Sequence, residues 1–253
     1  MELQKIFNYK ELVDKGNTFG HNVIIEAGTS VGCNNLFHDN CVIKRGCSIG
    51  NNNVFETGSV IGELPREYIT GSYKKKTILT CPKVIIGNNN LFEAYSVIQG
   101  ALETKTVIGN RVCIGTHSYI AHDVNLCDNV IVCSHCTVAG YCIILEYCNI
   151  GMGSRIHQRV VVGAFSMIGA GAVVVKHIAP ASVVIGVPAA FLRSNYLGLE
   201  RSGISKEEID KTEEWLRGGC VQKCIPKYMV KHYDRFKEKI ALWGDNKKII
   251  PFR

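Results

Sequence analysis

Large apolar residues recur along this chain at every sixth position. Stepping by six from Ile108 to Val174 meets twelve aliphatic residues without a miss. Stepping by six from Val13 to Ile61 meets nine more large apolar residues, and Ile86, Phe92 and Ile98 form a third run. Neither the 3.6-residue period of a helix nor simple strand alternation explains so long a sixfold register. Two residues before many of these positions sits a small side chain, as at Cys41, Ser59, Ser118, Cys136, Cys148 and Ala172. Residues i and i−2 of a strand share a face, so both point inward. Glycine often follows the large residue, as at Gly32, Gly50, Gly62, Gly87, Gly109 and Gly115, which predicts tight corners in the left-handed backbone region. Asn51–Asn53 and Asn88–Asn90 suit other corners for the same reason.

Each hexad then makes one short strand and one corner, and three hexads close a triangular coil. Such coils stack at about 4.8 Å, each hydrogen-bonded to the next. Twenty-four hexads predict about eight coils. The solenoid is expected over residues 1–190, with a helical region over 191–253. Two interruptions predict loops leaving the solenoid, where function concentrates: one near 62–85, and one around GALETKT between Ile98 and Ile108. The register fails at Pro180, where the tail is expected to begin. In the tail, Ser205 and Glu208 form a capping box for a helix through Trp215, with Gly218-Gly219 as its stop. A second helix is expected after Pro226, with Met229, Tyr233 and Phe236 on one face and Gly244 at its end.

The composition, 46% hydrophobic and 20% charged over 253 residues, excludes disorder, collagen and coiled coil. The longest uncharged apolar run, Val160 to Val175, is sixteen residues and falls short of the ~20 that span a bilayer. The N-terminus has polar residues where a signal peptide needs an apolar stretch, so a cytoplasmic chain without membrane contact is expected. Twelve cysteines suggest zinc or disulfides, but five of them occupy the inward small position. Cys133 and Cys136 resemble a zinc half-site, yet Cys136 is inward and no second pair accompanies them, so reduced core thiols and no metal are expected. The net charge is +7, and residues 191–253 hold fourteen Lys/Arg against nine Asp/Glu, hence +5 of it. That excess suits phosphate-bearing ligands or a solvated helix face; nucleic acid is not expected, because no reading motif accompanies it.

One edge of the coils gathers reactive side chains. His122 lies two past Ile120, at a corner, and eighteen-residue steps place Gly140, Gln158 and Lys176 above it. Asp123, Tyr141 and Arg159 form the next column; Ala121, Ala139 and His157 form the one before. Imidazole, carboxylate, tyrosine and amide thus share one edge with a glycine whose N–H can point outward, which makes this edge a candidate site.

The hexads, together with IAHDV, AGY and IHQ, resemble the hexapeptide-repeat acyltransferases, specifically the UDP-N-acetylglucosamine O-acyltransferase family of lipid A synthesis. IGELPREY and NYLGLERSGIS are similar to that family's insertion and to the segment leading into its C-terminal helices. The resemblance implies an all-β left-handed parallel β-helix (hexapeptide solenoid) with a C-terminal α-helical region. It also implies a homotrimer with active sites between subunits. By this resemblance His122 is the general base, Asp123 its orienting partner and the Gly140 N–H the oxyanion donor. Glu63, Glu67, Tyr68, Gln99, Tyr119, Tyr141 and Arg201 would bind the substrate, with Arg201 near its phosphate. His157, Gln158, Ala170, Lys176 and Arg193 would meet the acyl donor.

The chain also departs from that family. Gln99, Tyr119 and Tyr141 stand where it places further histidines, and Glu67 and Ile69 where it has an aspartate and a sugar-contacting lysine. VVIGVPAAFLR resembles instead the close of hexapeptide acetyltransferases that use acetyl-CoA. The expected activity is therefore transfer of an acyl group, acetyl first, from acetyl-CoA or another acyl-CoA to the amine of a nucleotide-linked amino sugar. The alternatives are the UDP-N-acetylglucosamine O-acyltransferase reaction with acyl carrier protein as partner, and a metal-dependent hydratase. The last rests on His117 and His122, five apart as in the family resembling γ-class carbonic anhydrases, though in a shifted register. A catalytically silent scaffold is the remaining reading.

Overall fold

A computed structural model describes residues 9–65, 83–218, 225–244 and 248–251. The chain winds a left-handed parallel β-helix of about eight turns with a short C-terminal helical region. Three sheets of ten, eight and seven strands form its sides, and each parallel strand bonds the one a coil further on. On the side that carries His122, Tyr119–Ile120, Thr137–Val138, Arg155–Ile156 and Val173–Val174 stack in register. The sixfold aliphatics from Ile25 onward are buried in one continuous core.

The inward small slot often also supplies a hydrogen-bond donor. Ser118 Oγ donates to Cys133 O at 2.9 Å, Cys136 Sγ to Gly151 O at 3.2 Å and Cys148 Sγ to Gly163 O at 3.0 Å. Each acceptor is a corner carbonyl fifteen residues on, so the slot helps to satisfy buried backbone acceptors. Cysteine therefore acts here as a weak donor as well as a small hydrophobe. Burial pushes the Cys41 and Cys136 thiols up from their ordinary range, so they stay protonated.

The corners correct the expectation about glycine. Gly32, Gly50, Gly87, Gly109 and Gly115 are absent from the left-handed region, which instead takes the third residue after most of the aliphatics, such as Asn34, Asn52, Asn89 and Asp123. Glycine is needed directly after the aliphatic because coils approach closely there. A Cβ on Gly115 would lie 2.4 Å from Ser134 N, and one on Gly50 would lie 2.5 Å from Gly87 O. Gly62 alone among the glycines named for this role combines a positive φ with that place.

The ends also differ from the sequence pattern. Val13 is exposed, because the sixfold run begins after a helix, α1 (Tyr9–Asp14), whose Leu12 is the buried residue. Pro180 does not end the solenoid. Ile178 bridges to Val162, and Ser182–Ile185 continues the ten-stranded sheet, with Met167 beside Val183. Ala190–Ser194 then returns antiparallel on the same sheet.

Among the described residues three α-helices follow: α2 (Tyr196–Arg201), α3 (Lys206–Arg217) and α4 (Val230–Ala241). Ser205 caps α3 by accepting from Glu208 N, although Glu208 Oε2 is buried without a partner among the described residues, so the reciprocal half of the capping box is not made there. Leu199, Trp215, Met229, Tyr233 and Phe236 pack on Ile143, Leu145 and Val161 of the seven-stranded sheet. Glu146 fixes α4, meeting His232 Nδ1 and Arg235 Nη1 at 2.7 Å each. Several other tail cations pair with acids of their own helix, as Lys211 does with Glu207 and Arg217 with Glu213. No helix among the described residues is long and apolar enough to cross a membrane.

Candidate active site

His122 occupies the corner after Tyr119–Ile120, and Asp123 beside it takes the left-handed conformation common to most such corners. His122 Nδ1 lies 3.0 Å from Asp123 Oδ2. A carboxylate only accepts hydrogen bonds, so Nδ1 carries the proton of the neutral ring and Nε2 keeps the lone pair. The Asp123 side chain is 1% exposed, against 19% for His122. Its carboxylate is held by the GALETKT loop: Leu102 N donates at 2.8 Å, Thr104 N at 2.7 Å and Thr104 Oγ1 at 3.0 Å. Burial alone would raise its pKa. The bonds from His122, Thr104 and Leu102 outweigh burial and bring it down to about 2. The four-residue excess in the repeat is thus a cradle for the carboxylate that aims the base.

Gly140 lies one coil beyond His122. A Cβ there would sit 2.6 Å from His122 Cε1 and 2.8 Å from Nε2, so only glycine lets the imidazole lie over this corner. At several equivalent corners of the preceding coils the backbone N–H is taken up by a side chain of a neighbouring coil. Thr116 N donates to Glu93 Oε2 and Asn110 N to Asp128 Oδ1, both at 2.9 Å. The Gly140 N–H has no acceptor among the described residues. A groove of about 350 Å³ opens here, walled by Glu63, Gln99, Tyr119, His122, Thr137 and Gly140 among others.

No family model and no curated protein sequence matches the chain. Its similarity is to solved structures. UDP-N-acetylglucosamine O-acyltransferase of Moraxella catarrhalis aligns with a TM-score of 0.72 at 20% identity, over 92% of this chain and 97% of that one. The UDP-N-acetylglucosamine acyltransferase of Bacteroides fragilis gives 0.70 at 24% identity, covering 92% and 95%, and that of Campylobacter jejuni 0.65 at 24%, covering 94% and 96%. The chain has a hexapeptide-repeat acyltransferase fold.

The remaining expected site residues divide by edge. Gln158 and Lys176 stand in the His122 column, exposed, and His157 is exposed beside them with Nδ1 3.3 Å from Gln158 O. Tyr141 lies behind the groove rather than in its wall. Its ring meets His122 edge-to-face with centroids 5.0 Å apart, and the Arg159 guanidinium sits 4.7 Å from its centroid. Burial, with the Glu103 and Asp123 carboxylates close by, pushes the Tyr141 hydroxyl far up, so it stays protonated.

Ala170 falls on a different edge, the corner after Ile168, in line with the Tyr95, His117 and His135 rings. His117 and His122 therefore stand on different edges. Among the described residues no group of three His, Cys, Asp or Glu gathers to hold a metal ion. Arg193 lies against Tyr196, 4.8 Å from its ring centroid, and Arg201 is exposed at the end of α2; neither walls the groove. Glu67, Tyr68 and Ile69 lie outside the described residues, as do Gly219, Cys220 and Cys224. Sequence reasoning did not name Leu64 and Thr137 in the groove, or Leu102 and Thr104 behind it. The break in the repeat was the signal for the last two.

Proposed function

We propose that this chain is an acyltransferase that moves an acyl group, acetyl in the simplest case, from coenzyme A to the amine of a nucleotide-linked amino sugar. The observation that carries the reading is the His122 ring, fixed through Nδ1 to a cradled carboxylate and lying over a glycine whose N–H has no acceptor among the described residues. The acceptor amine attacks the thioester carbonyl carbon, forming the C–N bond. The carbonyl oxygen becomes an oxyanion that the Gly140 N–H receives. His122 Nε2 takes the amine proton while Asp123 stabilises the imidazolium, and the proton passes to the thiolate as the C–S bond breaks. The products are the amide and free coenzyme A.

An amine acceptor is favoured because, His122 and the Tyr119 phenol aside, the only ionisable group among the described groove walls is the Glu63 carboxylate, which suits an ammonium. Gln99, Tyr119 and Tyr141, with Glu67 and Tyr68 of the insertion, complete the acceptor side, and Arg201 receives its phosphate. On the donor side His157 and Gln158 flank the thioester, while Lys176 and Arg193 receive coenzyme A phosphates. Lys176 stands three coils from His122, roughly 14 Å at the ordinary strand spacing. Homotrimer formation with sites between subunits gives Ala170 a role, since an edge of one subunit then faces the groove of another. A coenzyme A donor and protonated core thiols suit a cytoplasmic protein.

The second reading is acyl transfer from acyl carrier protein to a hydroxyl of UDP-N-acetylglucosamine, favoured by the likeness to those enzymes over most of the chain. The two separate in one assay. The protein is offered acetyl-CoA with UDP- or dTDP-linked amino sugars, or acyl-loaded carrier protein with UDP-N-acetylglucosamine, and products are weighed by mass spectrometry. An N-acylated sugar from the first pair is the expected result; an ester from the second pair alone overturns it.

A further inference from the structure

Described residues at the C-terminal end meet the edge that carries His122 at two places. Asp123, Tyr141, Arg159 and His177 occupy one column, each third after an inward aliphatic on successive coils. Just beyond α4, the Trp243 indole packs against Tyr141 with centroids 5.8 Å apart and planes at 69°. Further on, Ile249 bridges to His177: His177 N donates to Lys248 O at 3.1 Å, and Ile250 N to His177 O at 2.8 Å. Ile250 is buried in the solenoid core. The C-terminal end is therefore fixed at two points two coils apart, and the first is the ring that touches the base.

Tyr141 needs such support. It holds a left-handed conformation with φ at 62°, which costs a non-glycine residue about 1–2 kcal/mol. Its ring in turn lies edge-to-face with His122 at 86°. Gly140, over which the imidazole also lies, has no side chain to restrain it. The hydrogen bond to Asp123 fixes one point of the ring and leaves rotation about it to packing. The Trp243 N–H is buried and has no acceptor among the described residues, so its indole acts through shape alone.

We propose that Trp243 is a positioning residue: by fixing Tyr141 it sets the angle at which the His122 imidazole faces Gly140 and the groove. The kinetic consequence rests on the acyl-transfer reading above; the effect on ring geometry does not. Because the indole acts by packing, Trp243→Phe should preserve its role and Trp243→Ala should abolish it.

The full-length protein with labelled histidine, the His122 signal assigned by its loss in His122→Gln, gives the first readout by NMR. Trp243→Ala should shift or broaden the His122 ring resonances and lower kcat roughly tenfold with KM within about twofold, since small misplacements of a reacting group are costly in rate. Trp243→Phe should return both close to wild type. Trp243→Leu, which keeps apolar volume without a flat face, replaces the alanine variant if that fails to fold. A His122 signal unmoved in these variants while the melting temperature falls would make Trp243 a mere cap of the tail and overturn the proposal. Equal losses in the Phe and Ala variants would do the same. If the wild type turns over none of the acyl donors and sugars above, the reaction assignment fails while the NMR comparison still decides the positioning.

Discussion

Two columns of this solenoid obey the same geometry and do opposite things. In the N-terminal coils one inward slot is filled by Asn17, Asn35, Asn53 and Asn90, and the aliphatic slot beside it by Phe19, Phe37, Phe55 and Phe92. From Asn35 onward each asparagine amide donates to the Oδ1 of the preceding asparagine and to a glycine carbonyl; Asn53 Nδ2, for example, gives 3.0 Å bonds to Asn35 Oδ1 and to Gly87 O. The phenylalanine rings stack face to face with centroids 4.7 to 5.2 Å apart. Where a column repeats one residue type, its groups satisfy each other and nothing is left for a ligand. The His122 edge changes type at every step, from His122 to Gly140 to Gln158 to Lys176. Its groups cannot bond along the axis, so His122 bonds sideways to Asp123 and the Gly140 N–H is left open. A repeat protein thus builds chemistry where its own repetition stops.

The comparison breaks most sharply at the base. His122→Ala should cut turnover by about 10²–10⁴ with the melting temperature nearly unchanged. Gly140→Ala should approach the lower figure, because its new Cβ would push the imidazole from its place. Full activity in both variants, measured by steady-state kinetics, would remove this edge from the mechanism. The reverse is expected of the ladder. Asn53→Ala should cost roughly 3 kcal/mol in urea unfolding, since buried amide and carbonyl groups lose their partners, while kcat stays at wild type.

A smaller effect, confined to the His122 edge, is read through pH. The Asp123 carboxyl titrates near 2 in the folded protein, below its ordinary value of 3.8. The unfolded chain therefore binds its proton more readily, and the carboxylate's contribution is complete above about pH 4 and is lost as pH falls toward 2. Its size is on the order of 2 kcal/mol. Unfolding midpoints measured from pH 5 to pH 2 should fall less steeply for Asp123→Asn than for wild type. An identical slope would mean that the loop of Leu102 and Thr104 does not hold an ionised carboxylate.

The period of six by itself determined the coil, the number of turns and the buried aliphatics from Ile25 to Val174. A repeat in register is a local rule that each hexad obeys regardless of its neighbours. Adding eighteen also put His122, Gly140, Gln158 and Lys176 on one edge, because stacking is the only way such strands satisfy their backbone. The rule failed where the cause was not local. Gly115 and Gly50 are glycines because another coil passes within contact distance, a fact their own backbone angles do not record. Val13 fits the count yet belongs to a helix, and Ser182–Ile185 re-enters the sheet after the count has lapsed. Only the tertiary structure decided that GALETKT cradles Asp123, that Tyr141 stands behind the groove, and that Trp243 returns from the far end of the chain to meet it. Those contacts join residues about 20 to 100 positions apart whose spacing follows no period, and packing alone chooses which of them meet.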